Sequence, residues 1–535
     1  MRRWKPGFRE YYKKVCQMLT KVLLLVVFAA VTIGVGFRFR GRASDVNGFV
    51  LAGRSVGPWL SAFAYGTTYF SAVVFVGYAG QFGWRYGMAA TWIGLGNAII
   101  GSLMAWVVLG RRTRIMTRHL NSSTMPDFFG NRFNSNALKI AASIIIFIFL
   151  IPYTASLYNG LSRLFAMAFD IDFTICIVLM AVLTGIYVIA GGYFATAVND
   201  FIQGIIMLGG IIAVIAAILR ANGGFLAALD TLARVEDAAV SGTPGIFASF
   251  FGPDPLNLLS VVILTSLGTW GLPQMVQKFY SIQSEKAIFK GTVISTFFAI
   301  LVAGGCYFLG SFGRLYANVI DIKANGYDAI IPTMLSGLSP LLIGITVILV
   351  LSASMSTLSS LVMTSSATFT LDFLQGNIVK KMDEKKQLIT IRGLIALFIV
   401  ISSVIAITQY KSRITFIAQL MGISWGALAG SFLAPLLYGL YWKRTSNAAV
   451  WCCFVFSTLF MIANILCNDA FPAVLKSPIN AGAFAMLVGL VVVPVVSTFS
   501  QRQDRKAVDA CFSCYEQTTT AKVLHTLDGE NGSTG

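Results

Sequence analysis

Apolar runs of about 20 residues recur along the whole chain, separated by short polar or basic stretches. A run of that length spans a hydrocarbon core of about 30 Å as a helix. The pattern predicts an all-α polytopic membrane protein with about thirteen transmembrane helices. They lie near 20–37, 57–80, 88–110, 138–165, 172–192, 201–220, 256–281, 287–312, 338–370, 390–409, 414–441, 447–467 and 480–498. The first run follows a basic, aromatic start, Met1 to Lys14, and has the outline of a signal peptide. FRFRGR follows it at once with no small-residue cleavage site, so a retained span is expected. The tail from Gln501 to Gly535 is polar and Thr/Gly-rich, and disorder is expected there.

Two spans are interrupted by residues that weaken a helix. The second reads LSAFAYGTTYFSAVVFVGYAG, with Gly66, Thr67, Thr68, Tyr69 and Ser71 at its middle. The seventh reads LLSVVILTSLGTWGLPQMVQKF, with Gly268, Thr269, Gly271 and Pro273 clustered halfway. Glycine and proline loosen the hydrogen-bond ladder, and the freed carbonyls then need partners inside the protein. Weak helices alone would explain either break. Five spans separate them, however, so they hold equivalent places in two five-span halves of opposite direction. Paired broken helices of this kind point to a binding site at the membrane midplane.

A third stretch, LSASMSTLSSLVMTSSATFT from Leu351 to Thr370, crowds small and hydroxylated residues into the inner part of a span. Ala353, Ser356 and Thr357 lie three and four apart and share one helix face. Two hydroxyls beside a small residue suit a hard cation, which seeks oxygens without apolar bulk. Close helix packing explains the same pattern, and hydroxyls can satisfy themselves on their own helix. Asp200, in VNDFIQG, is either an N-terminal dipole partner of the sixth span or a charge facing an aqueous path. Arg163, Arg220 and Lys278 near span ends are expected to snorkel, and Asp372 to cap or to pair with loop lysines.

Composition supports the membrane reading: 56% of the 535 residues are hydrophobic and 12% charged, with mean hydropathy +0.76. The net charge of +18 comes from short loops, so it reports topology and no nucleic-acid partner is expected. Basic residues cluster at Arg38–Arg54, Arg111–Arg132, Lys380–Arg392 and Lys443–Arg444, all on one side by span count. Lys/Arg-rich loops stay cytoplasmic. A multi-pass protein of the plasma membrane is therefore expected, with the amino terminus outside and the tail inside, although the basic start argues the other way. The scattered cysteines form no disulfide framework, and the lone Cys511–Cys514 pair lacks a second pair for zinc. Two histidines and no HExxH or nucleophile-elbow pattern leave no material for an enzyme of those classes.

Five motifs appear in order: GRSVGPWLSAFA at 53–64, GGYFATAVNDFIQG at 191–204, GLPQMVQKFYSIQSEKAIFKG at 271–291, SASMSTLSSLVMTSSA at 352–367 and GSFLAPLLYGLYWKR at 430–444. With these the chain resembles the sodium/solute symporter family from about Val46 to Arg444, and its pattern looks like that of the bacterial sodium/pantothenate and sodium/proline symporters. The resemblance implies a leucine-transporter-type 5+5 inverted repeat. The segments would be a basic amino terminus and first helix at 1–45, a ten-helix core at 46–445, two further helices at 446–500 and the tail at 501–535. It also implies a co-transported sodium ion held by carbonyls of Thr67, Phe70 and Ala353 and hydroxyls of Ser356 and Thr357, with Asp200 on the inward exit path. Substrate is expected between the broken helices, among Tyr69, Ser71, Val74, Thr269, Trp270 and Pro273. Ser359 and Ser360 are left to packing. Tyr69 stands where proline symporters carry an aspartate, and Val73 and Val74 stand where sugar transporters are polar. The first departure argues against proline and toward a carboxylate or related small metabolite, and the second argues against a sugar. The solute expected from the resemblance as a whole is a carboxylate or amino acid such as pantothenate or proline.

The function expected is sodium-coupled symport of a small organic solute across the lipid bilayer by alternating access. A symporter-like sensor without net transport is the alternative, and the short tail without kinase motifs disfavours it.

Overall fold

The computed structural model describes residues 6–516 apart from 170, 239, 323–325, 413–416 and 502, with side chains from Met18 onward except Ser412. The expected tail therefore falls partly outside the described residues, as does the start of the basic amino terminus.

Among the described residues, ten helices are long and apolar enough to cross a membrane. A further pair, α6 (Pro255–Leu267 with its 3₁₀ extension to Trp270) and α7 (Pro273–Ser281), meets the test jointly with a bend of 40°. Two of the ten are double length: Val73–His119 has 47 residues and α5 (Phe173–Ala221) has 49. At 1.5 Å per residue each would reach roughly 70 Å, about twice the hydrocarbon core. Each also contains a glycine in left-handed backbone, Gly87 and Gly192, both at φ 60°. Counting each as two crossings gives the thirteen expected from hydropathy. A side chain at Gly192 would meet Ala43 and Phe49 within about 3 Å, so the chain can turn there only with glycine.

α2 (Pro58–Tyr69) opens on Pro58 at its first turn and stops at Phe70, whose φ −101° and ψ 91° are extended. The chain resumes as a π-helical stretch, Val73–Tyr78, and then α3 (Ala79–Tyr86). α9 (Pro340–Thr368) and α11 (Ile417–Tyr441) are the most enclosed spans, 78% and 89% buried over their apolar windows. α1 (Pro6–Arg38) is only 11% buried over its window and lies on the outside. Gly36 abuts the Tyr187 backbone there, and Asn199 donates to the Thr32 carbonyl. α12 (Asn447–Leu466) and α13 (Pro478–Phe499) close over α11, with the Gly426 and Gly482 backbones in contact.

The loops sort onto two faces. On one, Glu384 accepts from the Val46 amide and Arg54 donates to Ser122, which joins the basic loops. On the other, Arg314 pairs with Asp237 at 3.0 Å and Trp92 donates to the Phe250 carbonyl. The tail is not wholly irregular: residues 505–516 are helical and pack on the basic face. Lys443 pairs with Asp509 at 2.8 Å, Arg132 lies 5.0 Å from the Phe512 ring, and the Tyr515 hydroxyl reaches the carbonyls of Arg112 and Leu440. The sequence hid this helix because its apolar residues, Val508, Phe512 and Tyr515, are few and spread among charges.

Candidate functional site

The break in α2 releases carbonyls from the helical ladder. The Phe70 amide still returns to Gly66, but beyond it the Val74 and Phe75 amides both turn to the Ser71 carbonyl, and the Val73 amide to the Ser71 hydroxyl. The carbonyls at the end of α2 are then free for other partners.

α9 supplies them. The Thr357 hydroxyl lies 3.3 Å from the Thr67 carbonyl, 3.1 Å from that of Thr68 and 3.0 Å from that of Ala353. One proton cannot serve three acceptors at once, so the carbonyl oxygens outnumber the donor between them. The Ser356 hydroxyl donates to the Thr67 hydroxyl at 2.7 Å. Thr67, Thr68, Ala353, Ser356 and Thr357 are all buried. The cluster offers three carbonyl and three hydroxyl oxygens without formal charge, drawn from two helices. Such a set fits a hard monovalent cation bound loosely enough to leave. Of the expected set, Thr67, Ala353, Ser356 and Thr357 come together. Phe70 sits at the break itself, its ring 4.2 Å from that of Tyr69. Thr68, which the sequence marked as part of the break but not as a sodium ligand, also belongs to the cluster.

Charged groups flank the oxygens. Asp200 on α5 is buried and faces the Ser356 hydroxyl and the Lys278 ammonium. α5 can approach because Gly204, one turn on, leaves room for Phe63 and the Thr67 methyl. Lys278, on α7, does not snorkel: it is 1% exposed and donates to the Ser360 hydroxyl at 2.9 Å. Ser360 in turn lies 3.0 Å from the Thr68 hydroxyl. Ser360 is thus part of a polar chain and not packing alone, whereas Ser359 bonds back to the Ser356 carbonyl on its own helix. Proximity to the span end suggested snorkelling for Lys278; the inward face of α7 dictates burial. Asp372 pairs with Lys139, at 3.3 Å, and accepts from Thr124 at 2.6 Å, so its base comes from the first turn of α4 (Asn136–Phe169) and not from the loop lysines. Arg163 reaches Asp328 at 3.6 Å.

The expected substrate residues divide. The Tyr69 hydroxyl donates to the Thr265 carbonyl at 2.5 Å, Thr269 to the Gly101 carbonyl at 3.0 Å and Trp270 to the Ile100 carbonyl at 2.9 Å. These three gather the two broken helices against residues 100–101. Ser71 and Val74 are buried at the first break. Pro273 lies apart, lining a small cavity with Thr124, Gln277 and Thr364. The structure adds Tyr153 and Trp425, whose rings stand 5.9 Å apart, with Trp425 6.1 Å from Tyr69 and against Gly268. The Trp425 indole N–H has no hydrogen-bond partner among the described residues. Neither aromatic sits in an interrupted stretch, so the breaks could not reveal them.

A model of the sodium:solute symporter family matches residues 49–455. The chain is 28% identical over 444 residues to a sodium/proline symporter of Staphylococcus aureus, covering 80% of this chain and 82% of that relative. It is 28% identical over 434 residues to sodium/proline symporter 2 of Staphylococcus saprophyticus, covering 79% and 82%. Among solved structures, a substrate-bound, outward-open Na+-coupled sialic acid symporter superimposes with a TM-score of 0.72 at 16% identity, covering 90% of this chain and 98% of that one. The fold is therefore the leucine-transporter type, as the family resemblance implied.

Proposed function

Since the chain belongs to the sodium:solute symporter family, we propose that it is a secondary active transporter coupling sodium entry to uptake of a small organic solute. The observation that carries this is the Thr357 hydroxyl set among three carbonyls from two helices, one of them broken. Sodium there, on oxygens of Thr67, Phe70, Ala353, Ser356 and Thr357, ties α2 to α9 and favours one orientation of the two halves. Solute then enters between the broken helices, by Tyr69, Ser71, Val74, Thr269, Trp270, Tyr153 and Trp425. Its binding closes them, and rocking of the halves releases both cargoes on the opposite side, with Asp200 on the ion's path. A sodium ion moving inward down the membrane potential supplies about 2.3 kcal/mol per 100 mV.

The named relatives are sodium/proline symporters, which makes proline the first solute to try and a small carboxylate such as pantothenate the second. The indole N–H of Trp425 and the hydroxyls of Ser71 and Tyr153 provide donors for a carboxylate. The excess of Lys and Arg on the basic face supports a cytoplasmic position for it in a plasma-membrane protein, with the amino terminus outside.

The test is uptake of radiolabelled amino acids and carboxylates into proteoliposomes, with and without an inward sodium gradient. At least one solute should accumulate several-fold only with the gradient. Failure of every solute across a broad panel would overturn transport and favour the sensor.

A further inference from the structure

Three carboxylates are fully buried among the described residues: Asp200, Asp328 and Asp372. Two of them hold a base directly, Asp328 with Arg163 at 3.6 Å and Asp372 with Lys139 at 3.3 Å. Asp200 differs. Its companion cation is Lys278, yet neither Asp200 oxygen has a hydrogen-bond partner among the described residues, and the Lys278 ammonium donates instead to Ser360. A buried charge is tolerated only when another charge balances it, so the two must be read together. Lys278 also lies 5.0 Å from the Tyr193 ring centre, where the aromatic face favours a cation.

Both charges adjoin the uncharged oxygen cluster, each through hydroxyls of α9. Asp200 adjoins it through Ser356, which donates to Thr67. Lys278 adjoins it through Ser360 and Thr68, whose carbonyl faces Thr357. The region bounded by Asp200, Ser356 and Ser360 has a carboxylate and hydroxyls, the chemistry that draws a second monovalent cation. It already contains a cation, covalently part of α7.

Resting on the sodium-site reading above, we propose that the Lys278 ammonium is a resident cation that takes the place of a second transported ion beside Asp200. The protein then binds a single sodium ion in each cycle. Lys278 determines the ion stoichiometry, and it acts on sodium only through the field it sets up with Asp200. In the wild type the negative and positive charges cancel at the cluster, so one sodium ion enters a nearly neutral site. Removing the ammonium alone unmasks Asp200 for a second ion. Removing the carboxylate alone leaves a buried positive charge that repels the first.

The test is equilibrium binding of ²²Na+ to the purified full-length protein in nanodiscs, counted per polypeptide. The wild type should bind one ion with a Hill coefficient near one. Lys278→Met should bind two, Asp200→Asn should bind one at least tenfold more weakly, and the double variant should bind one with much of the wild-type affinity recovered. A wild-type count of two overturns the proposal by itself, whatever the variants do. It is equally overturned if Lys278→Met binds one ion with unchanged affinity, or if the double variant binds none. Should Lys278→Met not fold, the Asp200→Asn and double-variant pair decides on the same grounds. Absence of saturable sodium binding in the wild type is a separate result, which removes the sodium site itself.

Discussion

The Ser356 hydroxyl donates to the Thr67 hydroxyl at 2.7 Å, across 289 residues of sequence. Each side chain could have satisfied itself on its own helix, and Thr67 does donate back to the Phe63 carbonyl at 2.8 Å. Ser356 instead crosses to α2. A contact of this kind between an intact and a broken helix changes whenever the two separate, which makes the region sensitive to the positions of the two halves.

Removing the Thr357 hydroxyl should therefore weaken ion binding more than folding. Thr357→Ala deletes one oxygen of the proposed sodium site, worth about 1–2 kcal/mol and thus a loss of about five- to thirtyfold in sodium affinity. Thr357→Ser should retain most of it. Sodium titration of thermal stability in detergent checks both: the alanine variant should need roughly tenfold more sodium for the same rise in Tm.

Helix contact at Gly83 and Gly310 should tolerate no side chain. A Cβ at Gly83 would overlap the Gly310 carbonyl carbon and oxygen, and one at Gly310 would overlap the Ala79 carbonyl. Backbone atoms cannot rotate away, so either alanine substitution should cost about 3 kcal/mol. Gly304→Ala and Gly209→Ala meet nothing within 4 Å and should be neutral or slightly stabilising, since both stand in helices. Thermal unfolding of the four variants gives the comparison.

The Asp372 cluster should respond asymmetrically. Lys139 bonds both Asp372, at 3.3 Å, and Asp127, at 2.8 Å. Lys139→Met leaves a buried carboxylate with only Thr124 and should cost about 3 kcal/mol. Asp372→Asn leaves Lys139 its Asp127 partner and should cost less than half as much. If the two variants unfold at the same temperature, the pairing is not what holds this corner.

Topology can be read by labelling. Thr243→Cys and Lys386→Cys place exposed thiols on opposite faces. In a background with Cys16, Cys452 and Cys467 changed to serine, an impermeant maleimide applied to whole cells should modify the first and not the second. The reverse pattern would invert the proposed orientation.

Much of the fold could be read in the sequence because hydrophobic length and helix breakers are local signals. The Gly66–Ser71 and Gly268–Pro273 interruptions marked both broken helices, and the three-and-four spacing of Ala353, Ser356 and Thr357 marked the face that meets the first. What lay beyond reach was side-chain direction at a span end. Lys278 and Ser360 look like ordinary snorkelling and packing residues until α7 is seen to turn that face inward. Trp425 was invisible for a related reason: its span has no interruption, and only the fold brings it to Tyr69.

The helix at 505–516 has a practical consequence. Tyr515 touches backbone at Arg112, in the first half of the repeat, and at Leu440, in the second. A fluorophore on this helix would ride on the seam between the halves, and its signal would report their relative displacement during turnover. A tag grafted before it, or a truncation that removes it, would erase that gauge together with a clasp across the seam.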